Sequence, residues 1–340
     1  MMAVTIHEIA KYAGVSIKTV SRVINNEPFV RDSTRTRVQK TMVEMGYSPN
    51  ISAKRLASAR SFVIGLLFGG APGEYFYNII KTSLKLSSEK GYACIVYAFD
   101  PFNPESRAEI LHLVAQKSVD GLIFTPPCDN DQILLQNLEV NRVPLVRLTP
   151  SDHSLQLPCV STDDWRGAYD MAEYLISLGH RRIGFVFGDP KHQASYDRFA
   201  GYQAALGAHE IPFDPNWVRQ GYFQFDRGIE AGKELLQIHP KVTAIFASND
   251  ESASGVLFAA HEMGVKVPEE LSVAGFDDFS ISERTWPSLT TVHQPVDEIA
   301  RQAITLLVGL MNNQSQEILQ IKVPSTLVLR NSTSPCNQCE

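Results

Sequence analysis

Ile17, Lys18, Ser21, Arg22 and Asn25 stand at i, i+1, i+4, i+5 and i+8, so a helix would carry all five on one face. Val20, Val23 and Ile24 fall on the other side. Lys, Ser, Arg and Asn side chains hydrogen-bond to base edges and phosphates. A short helix with one such face and one apolar face fits the major groove of DNA. The plainer alternative is a helical hairpin whose outer face is merely solvated, and the neighbouring elements argue against it.

Ile6, Ile9, Ala10 and Ala13 repeat at i, i+3, i+4 and i+7, which predicts a preceding helix with one buried face. Thr5 stands before that run and Glu8 three residues on, the spacing of a reciprocal capping box. Gly14 then ends the helix, Val15 can plug the corner, and Ser16 is placed to cap the second helix. Thr5, Ser16 and Thr19 join the candidate DNA contacts. A third helix is expected from an Asp32 cap to about Met45, with Val38 and Met42 inward and Gly46 closing it. Residues 1–49 therefore read as a small all-α helix-turn-helix head. Beyond it, Asn50 to Ala57 places Ala53, Leu56 and Ala57 on one helical face and Lys54 and Arg55 on another. Eight residues are too few for a stable free helix, so this stretch should fold only when contacts with a partner and the minor groove support it.

The overall charge of -6 hides an asymmetry. Residues 1–60 carry ten Lys/Arg against four Asp/Glu, a balance of +6, which leaves 21 against 33, or -12, for residues 61–340. A basic head on an acidic body is what a DNA contact confined to one end would produce. Five cysteines form no disulfide framework; Cys336 and Cys339 make a lone C-x-x-C in a Ser/Pro/Asn/Gln-rich stretch that reads as an exposed tail rather than a metal or redox site. No basic start leads into an apolar run and no stretch is long enough to span a bilayer, so the expected location is the cytoplasm.

From residue 61 the pattern changes to apolar strands separated by helices. FVIGLLF, ACIVYAF and DGLIFTP form one series, with helices near Tyr77 to Lys90 and Glu105 to Gln116. RIGFVF, AIFAS and LSVAGF form a second, with helices near Arg198 to Gly207 and Glu251 to Met263. Near-continuous apolar strands between helices mean parallel sheets covered on both faces. The body therefore reads as an α/β domain, residues 61–340, of two doubly wound parallel-sheet lobes. Lobe one is expected at about 61–161 and 291–325, and lobe two at about 162–290 and 326–331.

In open parallel sheets ligands bind beyond the carboxyl ends of the strands. Tyr75 and Phe76 follow the first strand of lobe one; Ser195, Arg198, Phe223, Asn249 and Asp277 follow segments of lobe two. Arg, Asn and Asp offer planar partners for neighbouring hydroxyls, and an aromatic ring covers the apolar face of a sugar or a base. Asp250 reads better as a helix cap than as a ligand contact, and Asp278 as a turn residue. An α/β enzyme is the competing class, but G-x-S-x-G, H-E-x-x-H and G-x-x-x-x-G-K-[ST] are missing, and GGAPG at Gly69 to Gly73 is no dinucleotide fingerprint. A free sugar-binding protein is a third class, disfavoured by the basic head. No cofactor and no metal are expected.

TIHEIAKYAGVSIKTVSRVIN, VRDSTRTRVQKTMVEMGYSPN and NISAKRLA, followed by YLISLGHRRIGFVFGDP, RFAGYQAAL, ASND and LSVAGFDD, resemble in order the segments of the lactose-repressor (LacI/GalR) family. The resemblance implies a cytoplasmic transcription regulator, most often a repressor, that binds pseudo-palindromic double-stranded operator DNA as a homodimer. It implies a body similar to periplasmic sugar-binding proteins, with a small-molecule effector between the lobes. Residues 50–60 would be the hinge, in which Asn50 and Ala53 meet DNA and Leu56 wedges between central base pairs. A sugar or glycoside is expected as the effector, with a purine the alternative. No leucine heptad follows residue 325, so no additional tetramer-forming bundle is expected.

Overall fold

The computed structural model describes residues 4–24, 29–47, 58, 60–70, 73–150, 152, 155–314 and 319–337. The chain divides into two compact units, residues 1–61 and 62–340. Asn25, Asn50, Ala53 and Leu56, and with them most of the expected hinge, lie outside the described residues.

Three helices build the first unit: α1 (Ile6–Ala13), α2 (Ile17–Ile24) and α3 (Asp32–Glu44). Ile9, Ala10, Ala13, Val20, Val23 and Val38 form its core. Each fully buried Ile or Val contributes about 1.5–3 kcal/mol, and the caps of α1 and α2 add to this small core. One expectation changes. Asp32 is the first helical residue of α3, not its cap: Arg31 holds that position without a side-chain cap bond, and Asp32 instead adds negative charge to the positive end of the helix dipole.

The second unit holds two parallel sheets. Lobe one contains β1 (Val63–Phe68), α4 (Glu74–Glu89), β2 (Ala93–Ala98), α5 (Pro104–Ala115), β3 (Gly121–Phe124), α6 (Gln132–Val140), β4 (Leu145–Leu148) and β5 (Cys159–Thr162). Lobe two contains α7 (Asp164–Ser177), β6 (Ile183–Phe187), α8 (Gln193–Ala208), β7 (Val218–Gln220), α9 (Phe225–Gln237), β8 (Ala244–Ala247), α10 (Asp250–Glu262), β9 (Ser272–Ala274) and α11 (Ser280–Arg284). The chain then runs through β10 (Thr291–His293), α12 (Val296–Met311), β11 (Gln320–Val323) and β12 (Thr326–Val328). The first sheet has the order β11-β5-β4-β3-β1-β2 and the second β7-β6-β8-β9. Every strand pair in both is parallel. No helix among the described residues is long and apolar enough to cross a membrane.

The return to lobe one comes later than Thr291. β10 pairs antiparallel with β12, and Val292 packs in the lobe-two core with Phe276; the crossing falls at Gln294, just before α12 buries Ile299, Ala303 and Leu307 against lobe one. The tail also differs from expectation. The Ser332 hydroxyl donates to the Val273 carbonyl at 2.6 Å, and the Cys336 amide to the Leu178 carbonyl at 2.8 Å. Residues 332–336 are thus stitched onto lobe two and Cys336 is half-buried.

Candidate functional site

In the first unit, Thr5 and Glu8 form the capping box: the Thr5 amide donates to Glu8 Oε2 at 2.7 Å, and the Glu8 amide to Thr5 Oγ1 at 3.4 Å. The Thr5 amide and hydroxyl, both donating to Glu8 Oε2, hold that carboxyl below its usual range. The Thr5 hydroxyl is committed to this cap. Gly14 adopts φ 62°, the left-handed turn that reverses the chain at little cost only in glycine. Ser16 Oγ then accepts the Thr19 amide at 3.1 Å, so Ser16 and Thr19 are tied together at the start of α2. Ile17, 42% exposed, and Lys18 project outward, while Ser21 and Arg22 are half-buried further along. Apolar Val20 and Val23 anchor the opposite face.

In the second unit, the residues beyond the strand ends gather around Arg198, on α8. Its Nε donates to Asp164 Oδ1 at 2.8 Å, and its Nη1 to the Ser248 carbonyl and to Asp277 Oδ1 at 3.3 Å. The guanidinium lies 3.8 Å from the Phe276 ring centre and 5.7 Å from that of Phe223, within cation–π range. From lobe one, Tyr75 sets its hydroxyl 3.5 Å from Thr149 Oγ1; burial pushes the phenol up to about 12, with smaller influences from Asp164, Arg198 and Asp277.

Asp277 accepts a second bond from Gln294 Nε2 at 2.7 Å, and Gln294 Oε1 accepts from Thr162 at 3.1 Å. Burial raises the Asp277 carboxyl to about 7 against the opposing pull of Arg198. The backbone is strained where it delivers these groups: Tyr222, Phe223, Asp277 and Asp278 have φ of 53°, 62°, 118° and 61°. Each such non-glycine residue costs on the order of 1 kcal/mol or more, and such strain clusters at ligand sites. At Gly188 a Cβ would come within 2.3 Å of the Phe223 ring, so only glycine lets that ring approach.

Three expected contacts take other roles here. Phe76 is 8% exposed and stacks on Phe68 with ring centres 3.6 Å apart, adding to the lobe-one core. Ser195 is fully buried, its hydroxyl donating to the Asp189 carbonyl at 2.7 Å. Asn249, not Asp250, caps α10: its Oδ1 accepts the Ser252 amide at 3.0 Å, while Nδ2 donates to the Phe223 carbonyl at 3.2 Å. Asp250 instead accepts from Thr291 and from the Phe279 amide. Asp164 and Gln294 were missed. Gln294 is the first residue after β10 and Asp164 the second after β5, and neither strand is among those that the sequence marks out.

Residues 5–50 match the family described as bacterial regulatory proteins, lacI family, and residues 172–333 match the periplasmic binding protein-like domain. The chain is 34% identical to the HTH-type transcriptional regulator DegA of Bacillus subtilis (strain 168), covering 99% of this chain and 100% of DegA. Similar solved structures include the lac repressor dimer bound to operator and the anti-inducer ONPF, at 29% identity and TM-score 0.78, covering 98% of this chain and 100% of that one. The CelR–cellobiose complex is similar at 29% identity and TM-score 0.74, covering 97% of this chain and 99% of that one. Identity to DegA along practically the whole of both chains matches what the two folds carry separately, and the protein belongs to the lacI family of bacterial transcription regulators.

Proposed function

We propose that this protein is a dimeric repressor whose hold on operator DNA is set by a sugar or glycoside bound between the two lobes of its body. The observation that carries the effector half is the Arg198–Asp164–Asp277 cluster, which presents fork-shaped donors and acceptors beside aromatic rings. Such groups match vicinal hydroxyls and the apolar face of a sugar ring. The cellobiose bound by CelR supports this choice. Tyr75, Arg198, Phe223 and Asp277 would touch the effector. Asp164 and Asn249 would position Arg198 and Phe223.

The DNA half rests on α2, which would lay Ile17, Lys18, Ser21 and Arg22 in the major groove, with Asn25 extending the same face and Thr5, Ser16 and Thr19 at its margin. Leu56, with Asn50 and Ala53, would act in the minor groove at the centre of the site. A second copy would pack against lobe one, where edge strand β2 leaves Ile95 and Val96 42% and 38% exposed and α4 exposes Tyr77 and Leu84; the dimeric lac repressor supports this arrangement.

Electrophoretic shift of the upstream DNA of its own gene, repeated across a panel of sugars and nucleobases, tests the reading. A shift modulated by a sugar is expected. A shift modulated by nucleobases and by no sugar would overturn the effector assignment, and no shift on any DNA would overturn the repressor assignment.

A further inference from the structure

The charges around the cleft include one cation flanked by two acids. Arg198 is bracketed by Asp164 at 2.8 Å and Asp277 at 3.3 Å. Tyr75, reaching the cluster from lobe one, is influenced by these three charges. Behind Asp277 lies Asp250, another buried carboxyl. His192 stands at the start of α8 with its ring edge-on to Phe223, 5.8 Å between centres, and burial lowers its affinity for a proton. The nearby lobe-one guanidiniums are committed: Arg147 to Asp129 at 3.6 Å and to the Asp152 and Leu155 carbonyls, Arg107 to Asp131 at 2.6 Å. Lys191 is exposed in water, its ammonium 5.8 Å from the Phe102 ring centre.

We propose that this cleft selects an uncharged, hydroxyl-rich effector and rejects the phosphate ester of the same molecule. A phosphoryl group carries about -1.5 to -2 charge at neutral pH and needs a cation that is not already spent. Arg198 could offer it Nη2, but its positive charge is already balanced by Asp164 and Asp277; a full pairing would take it from a carboxylate and strand a buried charge, and otherwise the incoming anion meets two acids against one cation. Neutral hydroxyls require no such exchange. Arg198 Nη2 has no partner among the described residues, and the bonds reaching Asp277 and Asp164 from Arg198 and Gln294 all end on Oδ1. Among the described residues one donor nitrogen and two Oδ2 acceptors thus stay available for O–H groups while the ion pairs stay intact. Like-charge juxtaposition supplies the discrimination, as it does in specific recognition generally.

The inference rests on the cleft being the effector site, and matched pairs test it on the full-length protein. Calorimetric titration with ribose and ribose 5-phosphate, glucose and glucose 6-phosphate, trehalose and trehalose 6-phosphate, and adenosine and adenosine 5′-monophosphate supplies four comparisons. In every pair with a binding member, the uncharged molecule should bind at least 100-fold more tightly. Asp164→Asn with Asp277→Asn should narrow that gap at least tenfold; Asp277→Asn alone, which keeps one ion pair for Arg198, should narrow it by less. A phosphate ester that binds as tightly as its uncharged partner overturns the proposal, and so does a panel in which no uncharged member binds. Binding of adenosine without any sugar would defeat the sugar reading and leave the charge selection standing.

Discussion

The Glu74 carboxylate on lobe one accepts both the amide and the hydroxyl of Ser280 on lobe two, at 3.1 and 2.6 Å. Each is the first residue of its helix, α4 and α11, so two helix starts share one carboxylate across the cleft. On another path between the lobes, Asn130 Nδ2 donates to the Lys191 carbonyl at 3.3 Å. The lobes are therefore joined by polar contacts at two places.

Removing Glu74 should loosen closure. A half-buried, charge-assisted contact is worth about 1 kcal/mol after solvent screening, or roughly fivefold in the balance of closed and open forms. Hydrogen exchange of Glu74→Ala is expected to show the Ser280 amide exchanging about fivefold faster, with the Ser248 amide, bonded to the Val186 carbonyl just past β8, unchanged. Equal Ser280 rates in both proteins would show that the contact does not hold the lobes.

Arg198 should matter to folding as well as to the site. Arg198→Ala leaves Asp164 and Asp277 buried without their cation and is expected to cost about 3–5 kcal/mol, read by urea unfolding. Adding Asp164→Asn should return part of that loss, because one stranded charge disappears; the cycle isolates the coupling. Purely additive losses would mean that the two side chains do not interact.

The raised Asp277 carboxyl predicts a pH signature. Its proton is held to about 7 in the folded protein but only to about 4 in the unfolded chain. The folded state thus binds the extra proton between those values, so this group's contribution to stability falls as pH rises from about 4 to 7 and is level above. Asp250, also raised by burial, acts in the same direction, while buried His180 and His192, both lowered from 6.5, oppose it just below that pH. The comparison is therefore with Asp277→Asn, which removes this slope and, because the Asp277 charge helps to raise Asp250, lessens that of Asp250 in the same direction. The melting temperature of this variant relative to the parent should rise across the window from pH 4 to 7, and a constant difference would contradict the assignment.

Much of this was legible before the structure, for reasons that differ by element. Gly14, with Thr5, Glu8 and Ser16 at fixed offsets, specifies the head because caps are local chemistry. FVIGLLF and AIFAS are legible as buried strands because a parallel sheet covered on both faces tolerates no polar interruption. The return to lobe one after about residue 291 is expected from the sequence; that helix α12 makes it, and that strand β5 stands beside β11, is not. The cluster was half legible. Arg198 and Asp277 follow apolar strands, but Phe76 shares that position with Tyr75 and turns into the core. Which of two adjacent aromatics faces a cleft is decided by packing across the sheet, and the sequence gives no sign of it.

Arg22 offers the sharpest test of the DNA reading. It lies one turn beyond Lys18 on α2, where a guanidinium can meet a base edge with two bonds while Lys18 meets phosphate as a point charge. Binding sites selected from random oligonucleotides should form a pseudo-palindrome of two half-sites, since a dimer's two-fold axis repeats whatever one head reads. On that selected site Arg22→Ala should cost about 1–3 kcal/mol, and far less on unrelated DNA. Lys18→Ala should weaken both alike and lower the salt dependence by about one ion. Equal losses for Arg22→Ala on the two DNAs would make it a phosphate contact and move base reading to Ile17 and Ser21.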